Sequence, residues 1–400
     1  VLYRSFSYGI NNISKRNTMK RLRSSSVRLA CFAFASLVAV STPATTNCQI
    51  RFVRHWDLQA VTETGTSAWA GSYPFTIIGV LLTDPDEMLD STPNFQPASS
   101  NNMGGQWQMV IQALPPDRGG TFLWMGQNYA IRRPPYDDAF SYTDEEWVAE
   151  INRLNRDPYT GHAFRKGDLV AVTANASLFY GGKRNVNEAH RKEPEYDFYI
   201  VLLAPNYGLP EPEVITLASL VRPDDGNPST SEDIFDPTRM SGGEYWQGMR
   251  VRINGLKLVT TNGWNPTLPW SQRICIVTDG ENRFFKVRHP RYSLGPAPTN
   301  WFDAIGILNQ ESESGVQGTN GYELFIQEVL PAEEPRLKVE QAVVVSWPSS
   351  LSNYRLLSAE SPVSTNWVPV TNKPVLIGDT LNVLCTLTNT QRFFRLERIR

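Results

Sequence analysis

Ser141 to Asp157 reads SYTDEEWVAEINRLNRD, and the fold turns on this stretch. Thr143 followed three residues later by Glu146 is a capping box, and Trp147, Ile151 and Leu154 recur at the spacing of one helix face. Helical periodicity is rare elsewhere in the chain. Before this helix lie YPFTIIGVLLT (73–83), WQMVIQAL (107–114) and GTFLWMGQNYA (120–130); after it come DLVAVTANASLFY (168–180) and DFYIVLLAP (197–205). These runs are rich in β-branched and aromatic residues and are separated by Gly, Pro, Asn and Asp, so they predict five strands with one helix after the third.

Five strands with a helix after the third is the order of an OB-fold, a small partly open barrel whose exposed strand face and flanking loops take ligands. A second set follows: GMRVRINGLKLV (248–259), RICIVTDG (273–280), RFFKVRH (283–289), WFDAIGILNQ (301–310) and YELFIQEVLP (322–331). Only PRYSLGPAPTN separates its third and fourth strands, which is too rich in Pro and Gly for a helix. Between the two sets, residues 206–243 are rich in Pro, Asp, Ser and Gly and read as a linker.

FRKGDLVAVTANASLFYGGK (164–183) resembles the fourth strand of bacterial OB modules, in which a Lys-Gly-Asp turn leads into a long strand. LPEPEVITLASL, EYWQGMRVRINGLKLV and CIVTDG resemble the paired OB-like modules of exported bacterial proteins, some of them attached to nuclease or phosphoesterase domains. The last segment, with VEQAVVVSWPSS, NYRLLSAES, NWVPV, DTLNVLCTLT and RFFRLERIR, resembles the short C-terminal β-sandwich of exported proteins. The expected architecture is mainly β: a first OB-like domain at 48–205, the linker, a second OB-like domain at 244–335, and an adaptor sandwich at 336–400.

Residues 1–47 hold seven Lys or Arg and no Asp or Glu. From Met19 a cationic MKRLRSSSVR precedes the apolar LACFAFASLVAV and the small residues STPATT, the pattern of a secretory signal peptide cleaved near Ala44. Residues 1–18 read as an extension upstream of that start. The apolar run is shorter than a bilayer-spanning helix requires, and no later stretch approaches that length. The expectation is therefore an exported protein, extracellular or at the cell surface, without a transmembrane segment after signal removal.

Of four cysteines, Cys31 lies in the signal and Cys48, Cys275 and Cys385 are too sparse for a disulfide framework. Thr45, Thr46 and Asn47 lack the Leu-small-small pattern that precedes a lipidated cysteine. Cys275 and Cys385 sit in apolar strands and read as small buried hydrophobes.

Beyond residue 47 the chain carries 31 basic against 40 acidic side chains, which disfavours bulk coating of nucleic acid. Residues 336–400 reverse the sign, with eight basic and four acidic.

Local cationic features stand out against the acidic background. GGKRNVNEAHRK (181–192) joins the predicted fourth and fifth strands and offers Lys183, Arg184, Asn187, His190, Arg191 and Lys192 for charge-assisted hydrogen bonds. Strand alternation puts Arg250 and Arg252 on one side of their strand, and Lys286 and Arg288 share a face of theirs, with Trp264, Trp270 and Tyr292 in adjoining loops for stacking. Trp124, Tyr129 and Tyr180 lie where an OB ligand reaches, although aromatics in strands are more often core. Asp84, Asp86, Glu87 and Asp90 cluster without the spacing of a calcium loop.

The reading is a non-catalytic binding or adaptor protein, with no cofactor, for an anionic oligomer such as single-stranded nucleic acid or acidic glycan, and with cell-surface attachment through the C-terminal domain. Two alternatives stand beside it. A metal-dependent phosphodiesterase requires Asn187, Glu188, His190 and His162 to meet in one pocket, and a structural envelope protein requires no small ligand at all.

Overall fold

The computed structural model describes residues 51–95, 103–128, 141–332, 342–386 and 392–399. The segment read as a signal peptide, with Met19 and Cys31, lies outside the described residues, as do Cys48 and Tyr129. Two compact units result, divided between Glu333 and Glu334.

The first lobe of the larger unit is a seven-stranded sheet: β1 (Phe75–Leu81), β2 (Gln106–Ala113), β3 (Gly120–Gly126), β4 (Leu169–Ala174), β5 (Ser177–Tyr180), β6 (Lys183–Val186) and β7 (Phe198–Ala204). Its spatial order is β5-β6-β3-β2-β1-β4-β7, with β3 and β6 parallel and the other pairs antiparallel. Trp107, Met109 and Ile111 of β2 alternate inward and pack with Phe75, Leu123 and Phe198. A short helix α1 (His55–Leu58) contributes Leu58 to the same core.

Helix α2 (Asp144–Leu154) forms where the capping box placed it. Thr143 Oγ1 accepts the Glu146 N–H at 3.2 Å, and the Glu146 carboxylate accepts the Thr143 N–H at 2.9 Å. Trp147 and Leu154 bury the apolar face, and the Trp147 indole N–H donates to Ser91 O. Replacing Thr143 by alanine is expected to cost about 1 kcal/mol in urea unfolding, and serine at the same position should restore it.

One departure from the sequence reading shapes this lobe. The single long strand expected over 168–180 breaks at Asn175, whose N–H donates to Asp197 O, and the chain then folds back as the β5–β6 hairpin. The hairpin strand β6 takes the place beside β3, so β7 stays at the far edge of the sheet.

The second lobe does close. Strands β9 (Arg250–Leu258), β10 (Ile274–Thr278), β11 (Phe284–Arg288), β12 (Phe302–Gln310) and β13 (Tyr322–Pro331) pair in the ring β9-β10-β11-β13-β12-β9, with β11 and β13 parallel. Val251, Ile253, Val277, Val287 and Leu324 fill the barrel, and Cys275 is buried among them. No helix separates the third and fourth strands, as the Pro-rich sequence there dictates.

The segment 206–243 is not merely a linker. Strand β8 (Glu213–Ile215) adds parallel to β9, and Leu217 and Leu220 are fully buried in the second core. A short helix α3 (Gly242–Trp246) then brings a buried carboxyl into the molecule. Glu244 accepts the Tyr322 hydroxyl on Oε1 at 2.8 Å, while Oε2 has no partner. Burial pushes Glu244 up to about 7.

The two lobes share a core of their own. Leu82, Val110 and Phe122 meet Ile307 and Phe325, with Trp270 packed edge-on to Phe325. Gly120 N donates to Gln247 O, and a Cβ on Gly120 would lie 2.0 Å from Gly248 O, so this backbone crossing admits only glycine.

The C-terminal unit is built of two three-stranded sheets. One holds β14 (Ala342–Pro348), β18 (Thr380–Thr386) and β17 (Val375–Ile377), and the other holds β16 (Val368–Pro369), β15 (Tyr354–Ala359) and β19 (Phe393–Arg398). Trp347, Leu356, Val383 and Cys385 form the core between them. Val344 and Leu384, paired across β14 and β18, remain exposed, as does the whole of the edge strand β17.

Candidate functional site

The outer face of the first sheet carries the candidate site. Because Trp107 and Met109 point into the core, Gln106, Gln108 and Val110 point out; because Leu123 and Met125 point in, Phe122 and Trp124 point out. Gln108 stands opposite Trp124 in register. On the hairpin, Lys183 lies opposite Tyr180 and Asn185 opposite Leu178. Across β5, β6, β3 and β2 this makes one continuous face.

The second lobe covers the apolar part of that face, Val110 and Phe122, and leaves the rest open. What remains is a cavity of about 420 Å³ between the lobes, a size suited to small ligands. Gln106, Gln108 and Trp124 line one side, and Leu178, Tyr180, Lys183 and Asn185 another. Asn187 and His190 also line it, together with Leu89 and Met103 of the first lobe and Trp270 and Glu311 of the second.

The hairpin tip holds the cavity's walls together. Gly181 and Gly182 both adopt positive φ, and a Cβ on Gly182 would meet the Gln310 side chain at 2.3 Å. Gly181 N donates to Gly315 O, and Ser312 N donates to Gly181 O. The Lys183 ammonium donates to Gln310 O and pairs with Glu311 at 2.9 Å. Behind it, Asn309 Nδ2 donates to both Glu311 and Glu323, and Glu323 takes the Arg288 guanidinium in a fork. That guanidinium stacks 3.8 Å beneath the Trp270 ring.

The cationic loop expected at 181–192 therefore has a different form. Its first half is the buried strand β6, and Arg184 turns away from the cavity to Ser177, Ser67 and the Trp69 ring. Arg191 stacks on Tyr196, and Lys192 pairs with Glu146. Lys183, Asn187 and His190 are the members that reach the cavity.

The four cations of the second lobe do not form one face. Arg252 pairs with Asp303 at 2.6 Å, and Arg250 donates to Pro210 O and lies 3.9 Å from Glu328. Arg288 is buried with Glu323, while Lys286 is exposed beside a separate surface depression. Strand alternation places these residues as read, but neighbouring strands supply carboxylates that the alternation alone does not reveal. Trp264 packs against His289 and Phe302, and Tyr292 donates to Gln327 O. Trp270, Trp124 and Tyr180 are the aromatics that line the cavity.

The residues of the phosphodiesterase alternative do not meet. His190 lines the cavity edge-on to Trp124, but Glu188 is fully buried beside it and accepts the Tyr142 hydroxyl at 2.6 Å. Burial pushes Glu188 well above the usual carboxylate range, with Asp197 and Glu150 adding to the effect. His162 instead contacts the buried Asp168 at 2.8 Å. Asp84, Asp86, Glu87 and Asp90 are not gathered either: Glu87 caps the Asp84 N–H and bonds Gln327, and Asp90 pairs with Arg291. Among the described residues the acidic group close enough to share a cation is Asp224, Asp225 and Glu232, away from the cavity.

Sequence reasoning missed Gln106, Gln108, Asn185 and Glu311. The two glutamines carried a usable signal, since QWQM alternates amides against a large apolar pair. Glu311 had none, because its role depends on how the lobes dock. No family model, curated protein or solved structure matches this chain. Among the described residues, no helix is long and apolar enough to cross a membrane.

Proposed function

We propose that this chain is an exported, non-catalytic binding protein that seats one ring-shaped unit of an oligomer in the cavity between its two lobes. The observation that carries this reading is the convergence of Trp124, Tyr180 and Trp270 with four carboxamides on one cavity. Aromatic faces give stacking surface, and carboxamides both donate and accept, so together they position a ring and read its edge. The strands and the hairpin that build the cavity correspond to the face and connecting loop through which OB-folds take ligands.

The exposed aromatic gives the test. Titration of the full chain with labelled glycan and single-stranded oligonucleotide panels is expected to identify a ligand whose affinity falls about tenfold in Tyr180→Ala. Tyr159→Ala, at an exposed tyrosine that does not line the cavity, should leave it unchanged. Equal affinities in both variants would sink the assignment.

For the C-terminal unit we retain the adaptor reading. Its support is the exposed apolar strand Val375–Ile377 at a sheet edge, a place where chains add strands, together with the basic balance of residues 336–400.

A further inference from the structure

We infer that the cavity takes an uncharged glycan unit, not the polyanion that the basic residues of the sequence suggest. The inference rests on the cavity being the ligand seat and goes on to name the ligand's chemistry.

Charge is the first argument. The Lys183 ammonium is committed to Glu311 at 2.9 Å and to Gln310 O, so the pair contributes no net charge to the wall. The nearby Arg184 and Lys192 are turned to partners outside the cavity, and Arg288 lies behind the Trp270 ring in its fork with Glu323. A phosphate or carboxylate entering here would shed water beside the Glu311 carboxylate without gaining an uncommitted lysine or arginine, and a buried charge without compensation is costly.

Hydrogen-bond polarity is the second and independent argument. Gln108 is 7% exposed, lines the cavity, and its Oε1 is buried without a partner. A buried acceptor left unmade costs about 1–3 kcal/mol, so the site is built for a ligand that brings a donor. Phosphodiester and carboxylate oxygens only accept, so the charged group of a polyanion is not what meets Gln108; the partner is a hydroxyl or N–H of the ligand. A sugar hydroxyl donates as well as accepts, and so satisfies both Gln108 Oε1 and the amide N–H groups around it.

Shape is the third. Trp124 stands across the strand pair from Gln108, so a ring held by the glutamine lies within reach of the indole. The weakly positive C–H groups of a pyranose face complement the negative face of an aromatic ring.

The experiment is calorimetric titration of the full chain with neutral hexasaccharides of the cello, manno and chito series, with hexagalacturonate, and with oligo-dT. Each probe is run at about 20 mM and about 300 mM salt, conditions that separate screened from unscreened binding. The expected result is binding of a neutral hexasaccharide with less than about a twofold change between salts. That affinity should fall about tenfold in Trp124→Ala and comparably in Gln108→Leu, which keeps the bulk and removes the amide. Binding of the acidic probes alone, weakening with salt and lost in Trp124→Ala, would overturn the uncharged class while leaving the cavity as the seat. Binding that survives both Trp124→Ala and Tyr180→Ala, or no binding of any probe, would overturn the seat as well. Circular dichroism melts of each variant separate lost affinity from lost fold.

Discussion

Replacing Arg288 by alanine is expected to remove roughly 3–5 kcal/mol of stability from the two-lobed unit. The Arg288 side chain donates from Nε and Nη2 to the Glu323 carboxylate at 2.7–3.1 Å, and both residues are nearly inaccessible. Alanine leaves that carboxylate buried with Asn309 as its remaining side-chain donor, and an orphaned buried charge costs more than the pair itself contributes. The decisive comparison is the double variant Arg288→Met with Glu323→Leu, which removes both charges and should recover most of the loss in urea unfolding at neutral pH. A single-variant loss below about 1 kcal/mol would mean that the carboxylate finds water when the arginine is gone. Arg288 also backs the Trp270 ring, so the single variant should bind ligand less well even under conditions where it stays folded.

Glu244→Gln is expected to make the protein more stable at alkaline pH, by roughly 3 kcal/mol at pH 8 and by little at pH 4. The sign follows from the direction of the shift. Burial raises the folded-state value from 4.5 to about 7, so the folded chain holds this proton where the unfolded chain has released it. The stability associated with it is full below 4.5 and is lost as pH rises through about 7. Glutamine still accepts the Tyr322 hydroxyl but has no charge to bury. The readout is the difference in unfolding free energy between variant and parent at each pH, in which other titrating groups cancel. That matters because Glu188 and Asp197 are shifted upward by burial too, and His55 is lowered to about 4 by complete burial. A difference that stays flat with pH would show that Glu244 is not the buried acid described.

The strands and the helix were legible because they are local. A capping box, a period of 3.6 at Trp147, Ile151 and Leu154, and alternation in QWQMVIQA each report on residues within one element. The hairpin at 177–186 was not legible as such, since ANASLFY continues the apolar texture of the strand before it and the break depends on Asp197 accepting from Asn175. The candidate site was half legible. Lys183, Asn187, His190, Trp270, Trp124 and Tyr180 were singled out and do line one cavity. The electrostatic character drawn from them was not legible, because Glu311, Glu323 and Asp303 reach their cations only through strand pairing and lobe docking. Counting charges along a chain overstates the field at a surface whose cations are already spoken for.

The Gly181–Gly182 turn, seated against Gln310 and Gly318, gives the cleft joint ownership. Neither lobe carries the site within itself; it comes into being when the two are fitted together. Natural variation that loosens the seam, at Gly120 or Phe325 for instance, would reshape the cavity without altering a residue that lines it. Divergence in this molecule is therefore constrained along a joint, and either lobe inherited without the other would carry only part of the cavity's lining.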